Sequence, residues 1–199
     1  MAELYVGVLS GTSMDGIDVA LVRFAPGPEL VDTHFHELPA KLRKSLNELA
    51  TPGDNEIDRM GVADIEMGKE IAKAVNAILT KTHTEPARVR AIGSHGQTIR
   101  HRPSQDPKFT VQIGDPNTIA VETGIRVVAD FRRKDIALGG QGAPLVPAFH
   151  DGIFRSRQAD RIIVNIGGIA NLTVLPRGQF SPVIGFDTGP GNTLLDGWC

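Results

Sequence analysis

Val8-Leu9-Ser10-Gly11-Thr12-Ser13-Met14-Asp15-Gly16-Ile17-Asp18-Val19 decides the fold, because the pattern returns at Val164-Asn165-Ile166-Gly167-Gly168-Ile169-Ala170-Asn171-Leu172-Thr173. In each stretch an apolar, β-branched strand enters a tight turn of Gly, Ser, Thr, Asp or Asn, and a second apolar strand runs straight out. Such a turn aims backbone N–H groups and small hydroxyls outward, where an anion can lie against them. Taken alone, either is more often an ordinary hairpin. The duplication, with turns of similar make-up, favours two hairpins facing each other as a phosphate clamp.

Working outward, strand signals at Leu4 to Leu9, Ile17 to Phe24 and Leu30 to Phe35 predict a meander, the last two separated by Ala25-Pro26-Gly27-Pro28. Helical spacing follows in Leu38, Leu42, Leu46 and Leu49, then in Ile71, Val75, Ile78 and Leu79 within Ile57 to Thr82. These stripes read as core faces. Next come a buried-type strand Val89 to Ile92, a hairpin of Thr98 to Arg102 with Phe109 to Ile113, a helix Asp115 to Glu122 and a strand Ile125 to Ala129. Asp115 reads as the N-cap of that helix, Pro116 as its first turn and Gly124 as its stop.

The order β-β-β-α-α-β-α-β, a meander followed by crossovers, is that of a ribonuclease H-like domain. After Leu138-Gly139-Gly140-Gln141-Gly142-Ala143-Pro144 and a helix up to Phe154, the meander restarts at Ile162 to Ile166, Leu172 to Leu175 and Val183 to Phe186. A helix begins at Asn192. The expected architecture is therefore α/β, a duplicated ribonuclease H-like (actin-like ATPase) fold. Residues 1–135 form a first domain that looks complete, and 136–199 a linker helix and the start of a second, incomplete one. Three strands and a helix stub would leave apolar surface and an open sheet edge, so the chain is expected to be the N-terminal part of a longer protein.

Composition narrows the function. The 199 residues are 41% apolar and 22% charged with net charge −2, which leaves no electrostatic footprint for nucleic acid or an anionic membrane. Met1-Ala2-Glu3-Leu4-Tyr5 lacks a basic n-region and its apolar run ends at Leu9, too soon for a signal peptide or a membrane span. A cytoplasmic enzyme or binding protein is the expectation. The only cysteine is Cys199, so neither a disulfide nor a thiolate metal site is expected. Asn171-Leu172-Thr173 matches a glycosylation acceptor by chance.

Four groups carry chemistry. Between Gly11 and Gly16, Thr12 and Ser13 can donate to phosphate oxygens, while Asp15 or Asp18 can hold Mg²⁺. This is not a P-loop, since no Lys follows and a strand stands where a helix would be needed. Gly93-Ser94-His95-Gly96-Gln97-Thr98 follows a strand, and loops at strand carboxyl ends bind ligands in open α/β sheets. Its functional reading is sugar recognition by Gln97, Thr98 and His95, although a lone histidine is more often structural. In Ala129-Asp130-Phe131-Arg132-Arg133-Lys134-Asp135, one of Asp130, Arg132 or Arg133 is expected to face a cleft, and spacing does not say which.

Gly185-Phe186-Asp187-Thr188-Gly189-Pro190-Gly191-Asn192 sets a carboxylate at a strand end beside backbone N–H groups and a helix start. Asp187 can act as a general base towards a water or a sugar hydroxyl. The bland alternative is that it caps the following helix. Asp-Thr-Gly also occurs in aspartic proteases, but Pro190 stands where those carry Ala or Ser.

Six stretches together closely resemble the anhydro-N-acetylmuramic acid kinases of the acetate and sugar kinase, Hsp70 and actin superfamily: Gly11 to Asp18, Gly93 to Thr98, Ala129 to Arg133, Gly139 to Pro147, Asn165 to Gly168 and Asp187 to Asn192. The resemblance implies an ATP- and Mg²⁺-dependent enzyme of peptidoglycan recycling that opens the 1,6-anhydro ring of its amino sugar with water and phosphorylates O6. It makes Asp187 the base. Gly11, Thr12, Ser13, Met14, Asp15, Gly16, Ile17 and Asp18 hold ATP phosphates, Asp15 and Asp18 the metal, and Gln97, Thr98, Arg132 and Asn192 the sugar. It implies small-molecule partners, neither nucleic acid nor membrane, and leaves room for a homodimer. A cleft closing between two domains would position the sugar and exclude water. The family's adenosine-binding glycine loop lies beyond this sequence, so a non-catalytic fragment is the alternative. A related enzyme acting on acetate or a hexose is disfavoured by the six motifs.

Overall fold

The computed structural model describes residues 3–178 and 181–198, and Cys199 lies outside them. The opening meander forms as its alternation requires: β1 (Leu4–Ser10), β2 (Gly16–Arg23) and β3 (Glu29–Glu37) pair antiparallel in sequence. Leu4, Val6 and Val8 of β1 and Ile17, Val19 and Leu21 of β2 all point to one buried face. That face is covered by α1 (Ala40–Leu49) and α2 (Glu56–Lys81), whose Leu42, Leu46, Leu49, Met67, Ile71, Val75 and Ile78 are buried against it. Each such side chain contributes roughly 1.5–3 kcal/mol on leaving water.

β4 (Val89–Arg102) enters parallel beside β1, with β5 (Phe109–Ile113) antiparallel to its second half and β6 (Val127–Val128) parallel to its first. The sheet order is β3-β2-β1-β4-β5, with β6 against β4. Two expectations are corrected here. Gly93 to Thr98 is not a loop after a strand but the middle of a continuous 14-residue strand. Partners on both sides keep the ladder going, and the glycines are absorbed as an irregularity at which the β1 register slips between Val8↔Ser94 and Ser10↔Gln97. Gly96, at φ +70, sits inside it. The strand expected over Ile125 to Ala129 shortens to Val127–Val128, because only this pair finds a partner in β4.

α3 (Pro116–Thr123) is capped by Asp115, whose carboxylate accepts from the N–H groups of Asn117 and Thr118, and it ends at Gly124 with φ +69. The charged run after β6 folds as α4 (Phe131–Ala137). The chain divides into two compact units, one up to Arg133 and one from Lys134 onward, so the division falls inside α4.

The second unit holds α5 (Pro147–Phe154) and an antiparallel sheet of β7 (Arg161–Ile166), β8 (Ile169–Leu175) and β9 (Ile184–Pro190), followed by α6 (Thr193–Trp198). Leu175 and Thr173 are fully buried, while Ile162, Val164, Ile166 and Phe186 are exposed. The turn between β7 and β8 is only Gly167-Gly168, so Ile169 to Asn171 are strand. β9 runs on to Pro190, which places Asp187 within a strand opposite Asn171 and not at a strand end. With α6 starting at Thr193, Asp187 is not its cap. Among the described residues no helix is long and apolar enough to cross a membrane.

Candidate functional site

The first turn is built on a split between core and surface. Met14, at φ 53, and Ile17 bury their side chains, so these two members of the expected phosphate loop can offer only main chain. Thr12, Ser13, Asp15 and Asp18 are exposed, and Ser13 Oγ donates to Asp15 Oδ1 at 2.7 Å. Met14 N–H closes the turn on the Gly11 carbonyl at 3.2 Å. A Cβ at Gly16 would overlap the Phe35 ring and the His36 carbonyl, which is why a glycine starts β2.

Gln97 is fully buried. Its Oε1 lies 2.7 Å from Ser10 Oγ, and its Nε2 donates to the Thr98 carbonyl at 3.1 Å. Ser10 Oγ is also 2.9 Å from the Gly16 carbonyl, so one hydroxyl proton is shared between two acceptors. The Gln97 amide, expected to meet the sugar, here ties β4 to the base of the first hairpin. Thr98 stays half-buried, accepting from Gln112 Nε2 at 3.1 Å.

In the charged run the two arginines take different partners. Arg133 pairs with Asp130, its Nε 2.6 Å and its Nη2 2.5 Å from Oδ2, while Arg132 donates from Nε to His95 Nε2 at 2.8 Å. Arg132 thus bonds the β4 motif directly, while Asp130 and Arg133 line the cavity beside it. Burial, and then the Arg132 charge, push the His95 pKa below its usual value, with the Gly96 carbonyl partly opposing. A cavity of about 270 Å³ opens here among Asp64, Ser94, His95, Gln112, Asp130 and Arg133. Ser94 Oγ is buried without a hydrogen-bond partner among the described residues.

In the second unit, Gly191 N–H donates to the Gly168 carbonyl and Asn192 N–H to the Gly167 carbonyl, both at 2.8 Å. Thr188 Oγ1 donates to the Ala170 carbonyl at 3.0 Å. The glycine turn and the segment after β9 are thereby stitched together, a link the sequence reading missed although glycine pairs at both ends signalled close backbone approach. Asp187 is exposed, and its carboxylate makes no hydrogen bond or ion pair among the described residues. Across the ladder, Asn171 Oδ1 is buried without a partner among them. Asn192 is exposed.

A meander-and-crossover sheet carrying one glycine-bracketed turn, with a second meander carrying another, defines a mixed α/β protein. The family model for "Anhydro-N-acetylmuramic acid kinase" matches residues 3–199, and the chain belongs to that family. Curated relatives bearing that name are 59% identical in Shewanella amazonensis and 62% in Shewanella pealeana, over 98% of this chain in each case. One from Coxiella burnetii is 56% identical over 99% of it. The chain spans about half the length of these relatives, 53% in each. Among solved structures, a "Reductive activator for corrinoid, iron-sulfur protein" superposes with TM-score 0.53 at 12% identity, covering 95% of this chain and 31% of its own length. That likeness concerns the fold alone.

Proposed function

We propose that the protein is a cytoplasmic, ATP-dependent kinase that opens the 1,6-anhydro ring of 1,6-anhydro-N-acetylmuramic acid and phosphorylates O6, giving N-acetylmuramic acid 6-phosphate for peptidoglycan recycling. The observation that carries this reading is family membership over residues 3–199 together with an exposed Asp187 carboxylate that has no partner among the described residues. Asp187 takes a proton from water as the water oxygen bonds to the anomeric carbon. The bond from that carbon to O6 breaks, and O6 accepts the γ-phosphoryl group as ADP leaves. Phosphoryl transfer needs positioning and charge neutralisation more than covalent help. Gly11 to Asp18 supply main-chain N–H groups and the Thr12 and Ser13 hydroxyls to the phosphates. Thr98, Arg132 and Asn192 contact the sugar, and Gln97 serves them by holding Ser10.

Magnesium fits the carboxylates present. Mg²⁺ takes most of its octahedral shell from water and phosphate oxygens, so one or two exposed carboxylates, Asp15 and Asp18, are enough to hold it, and it would neutralise phosphate charge. In this reading residues 1–135 are a first ribonuclease H-like domain and 136–199 the opening of a second. The exposed Ile162, Val164, Ile166 and Phe186 would be covered by residues that the longer relatives possess. The half-length coverage also favours a second reading, in which these 199 residues alone are not catalytic.

The coding sequence beyond Cys199 separates the two: an in-frame continuation with a glycine-rich loop supports the kinase, an immediate stop the fragment. Phosphate transfer from ATP to the anhydro sugar is then measured for the complete coding frame and for Asp187→Asn. A general base requires a loss of roughly 10²-fold or more; retention of most activity removes Asp187 from the role.

A further inference from the structure

His95 has no task in the reaction as described, yet both of its ring nitrogens are engaged. Nδ1 lies 2.9 Å from the Gly96 carbonyl oxygen and Nε2 2.8 Å from Arg132 Nε. A guanidinium only donates, so Nε2 is the accepting nitrogen and the ring proton sits on Nδ1, where the Gly96 carbonyl accepts it. The tautomer is therefore set by a backbone group inside the β4 irregularity. An arginine side chain is long and costs rotamer entropy to hold, but a bond to Nε fixes the plane of the guanidinium. The Nη edge is the part that meets a carboxylate through two parallel hydrogen bonds. The family's sugar is an acid, so it offers that carboxylate.

We propose that His95 is a positioning residue: it holds the Arg132 guanidinium in the plane in which it grips the carboxylate of the acidic sugar. This rests on the reading of Arg132 as a sugar ligand. The grip needs His95 neutral, because a proton on Nε2 would set a donor against a donor. The other charged groups at this cavity are Asp64 from α2, which accepts from Gly114 N–H at 2.6 Å, and the paired Asp130 and Arg133. None of them is a histidine. A rise in sugar KM at mildly acidic pH therefore reports His95.

Steady-state phosphate transfer by the complete coding frame tests this, with KM for sugar and for ATP read separately between about pH 5 and 8, a window that brackets the histidine range. The variants are Arg132→Ala, His95→Asn, which loses an acceptor at the Nε2 position, and His95→Gln, whose Oε1 reaches it. Loss of a hydrogen bond to a charged group predicts a roughly 10- to 100-fold rise in sugar KM for Arg132→Ala and His95→Asn, with ATP KM nearly unchanged. His95→Gln restores most of the affinity and abolishes the acid-side rise. If Arg132→Ala raises sugar KM and His95→Asn does not, the positioning role is overturned while Arg132 stands as a ligand. If Arg132→Ala leaves sugar KM unchanged, the reading of Arg132 itself fails and takes the proposal with it. Equal loss of kcat and both affinities in His95→Asn and His95→Gln, with lowered thermal stability, marks a structural histidine and also overturns it.

Discussion

Gly96→Ala isolates what the β4 irregularity contributes. Gly96 has φ +70, and a Cβ there would stand 3.2 Å from the Ile113 carbonyl carbon and well inside contact distance of its oxygen. The left-handed conformation alone costs an L-residue about 1–2 kcal/mol. The obstacle is backbone of the paired strand, since Gln97 and Ile113 are register partners, so relief requires β5 to move. Forcing a methyl into such a site adds roughly 1–3 kcal/mol. Together these give about 3 kcal/mol. Gly124→Ala is the control, because φ is +69 there and nothing lies within 4 Å of the added Cβ, leaving only the conformational cost. Urea unfolding followed by far-UV circular dichroism should show Gly96→Ala losing about twice as much stability as Gly124→Ala or more, with unchanged slope. Equal losses would show that β5 yields freely and that the irregularity is no constraint on His95.

Asp115→Ala should destabilise the first unit by about 1 kcal/mol through the lost N-cap. Burial opposes ionisation of Asp115, but the bonds from Thr118 and Asn117 outweigh it and lower its pKa in the folded chain. A lowered folded pKa contributes stability above the unfolded value of about 3.9 and loses it as pH falls through the folded value. The difference between wild type and variant should thus be full at neutral pH and shrink below about pH 4, as thermal melts across that range would read. Gly191→Ala places a Cβ on the Gly167 carbonyl oxygen and opens the stitch between turn and post-β9 segment. Phosphate transfer should fall roughly tenfold or more through misplacement of the Asp187 segment, while melting of the first unit is unchanged.

Much of the fold was legible because burial follows period. Leu42, Leu46 and Leu49, and Ile71, Val75 and Ile78, are the buried faces of α1 and α2, and the alternation of β1 and β2 sorts Val6 and Val8, Ile17 and Val19 to the core. Asp115, Pro116 and Gly124 marked α3 at both ends because cap chemistry is local. The misreadings came where pairing overrides local sequence. Gly93 and Gly96 read as a strand end, yet a strand with partners on both sides continues through them. Asp187 read as a strand-end carboxylate, but the Asn171 partner extends β9 past it. Nor could spacing say which partner each of Arg132 and Arg133 takes, because that depends on His95, far away in sequence and brought to α4 only by the fold.

Gln97 shows how the fold can engage a motif side chain before any ligand does. A polar side chain in a ligand-facing stretch invites a contact with ligand, but β1 and β4 run parallel and register Ser10 against Gln97. A buried amide left without partners there would cost about 1–3 kcal/mol. Ser10 and the Thr98 carbonyl satisfy it. The consequence is mechanical: the hairpin that holds Thr12, Ser13 and Asp15 is fastened through Ser10 to the same strand that carries His95 and Thr98. If the proposed roles hold, the groups meant for phosphate and for sugar in this unit are set by one pair of strands, the condition under which positioning alone can lower a phosphoryl-transfer barrier.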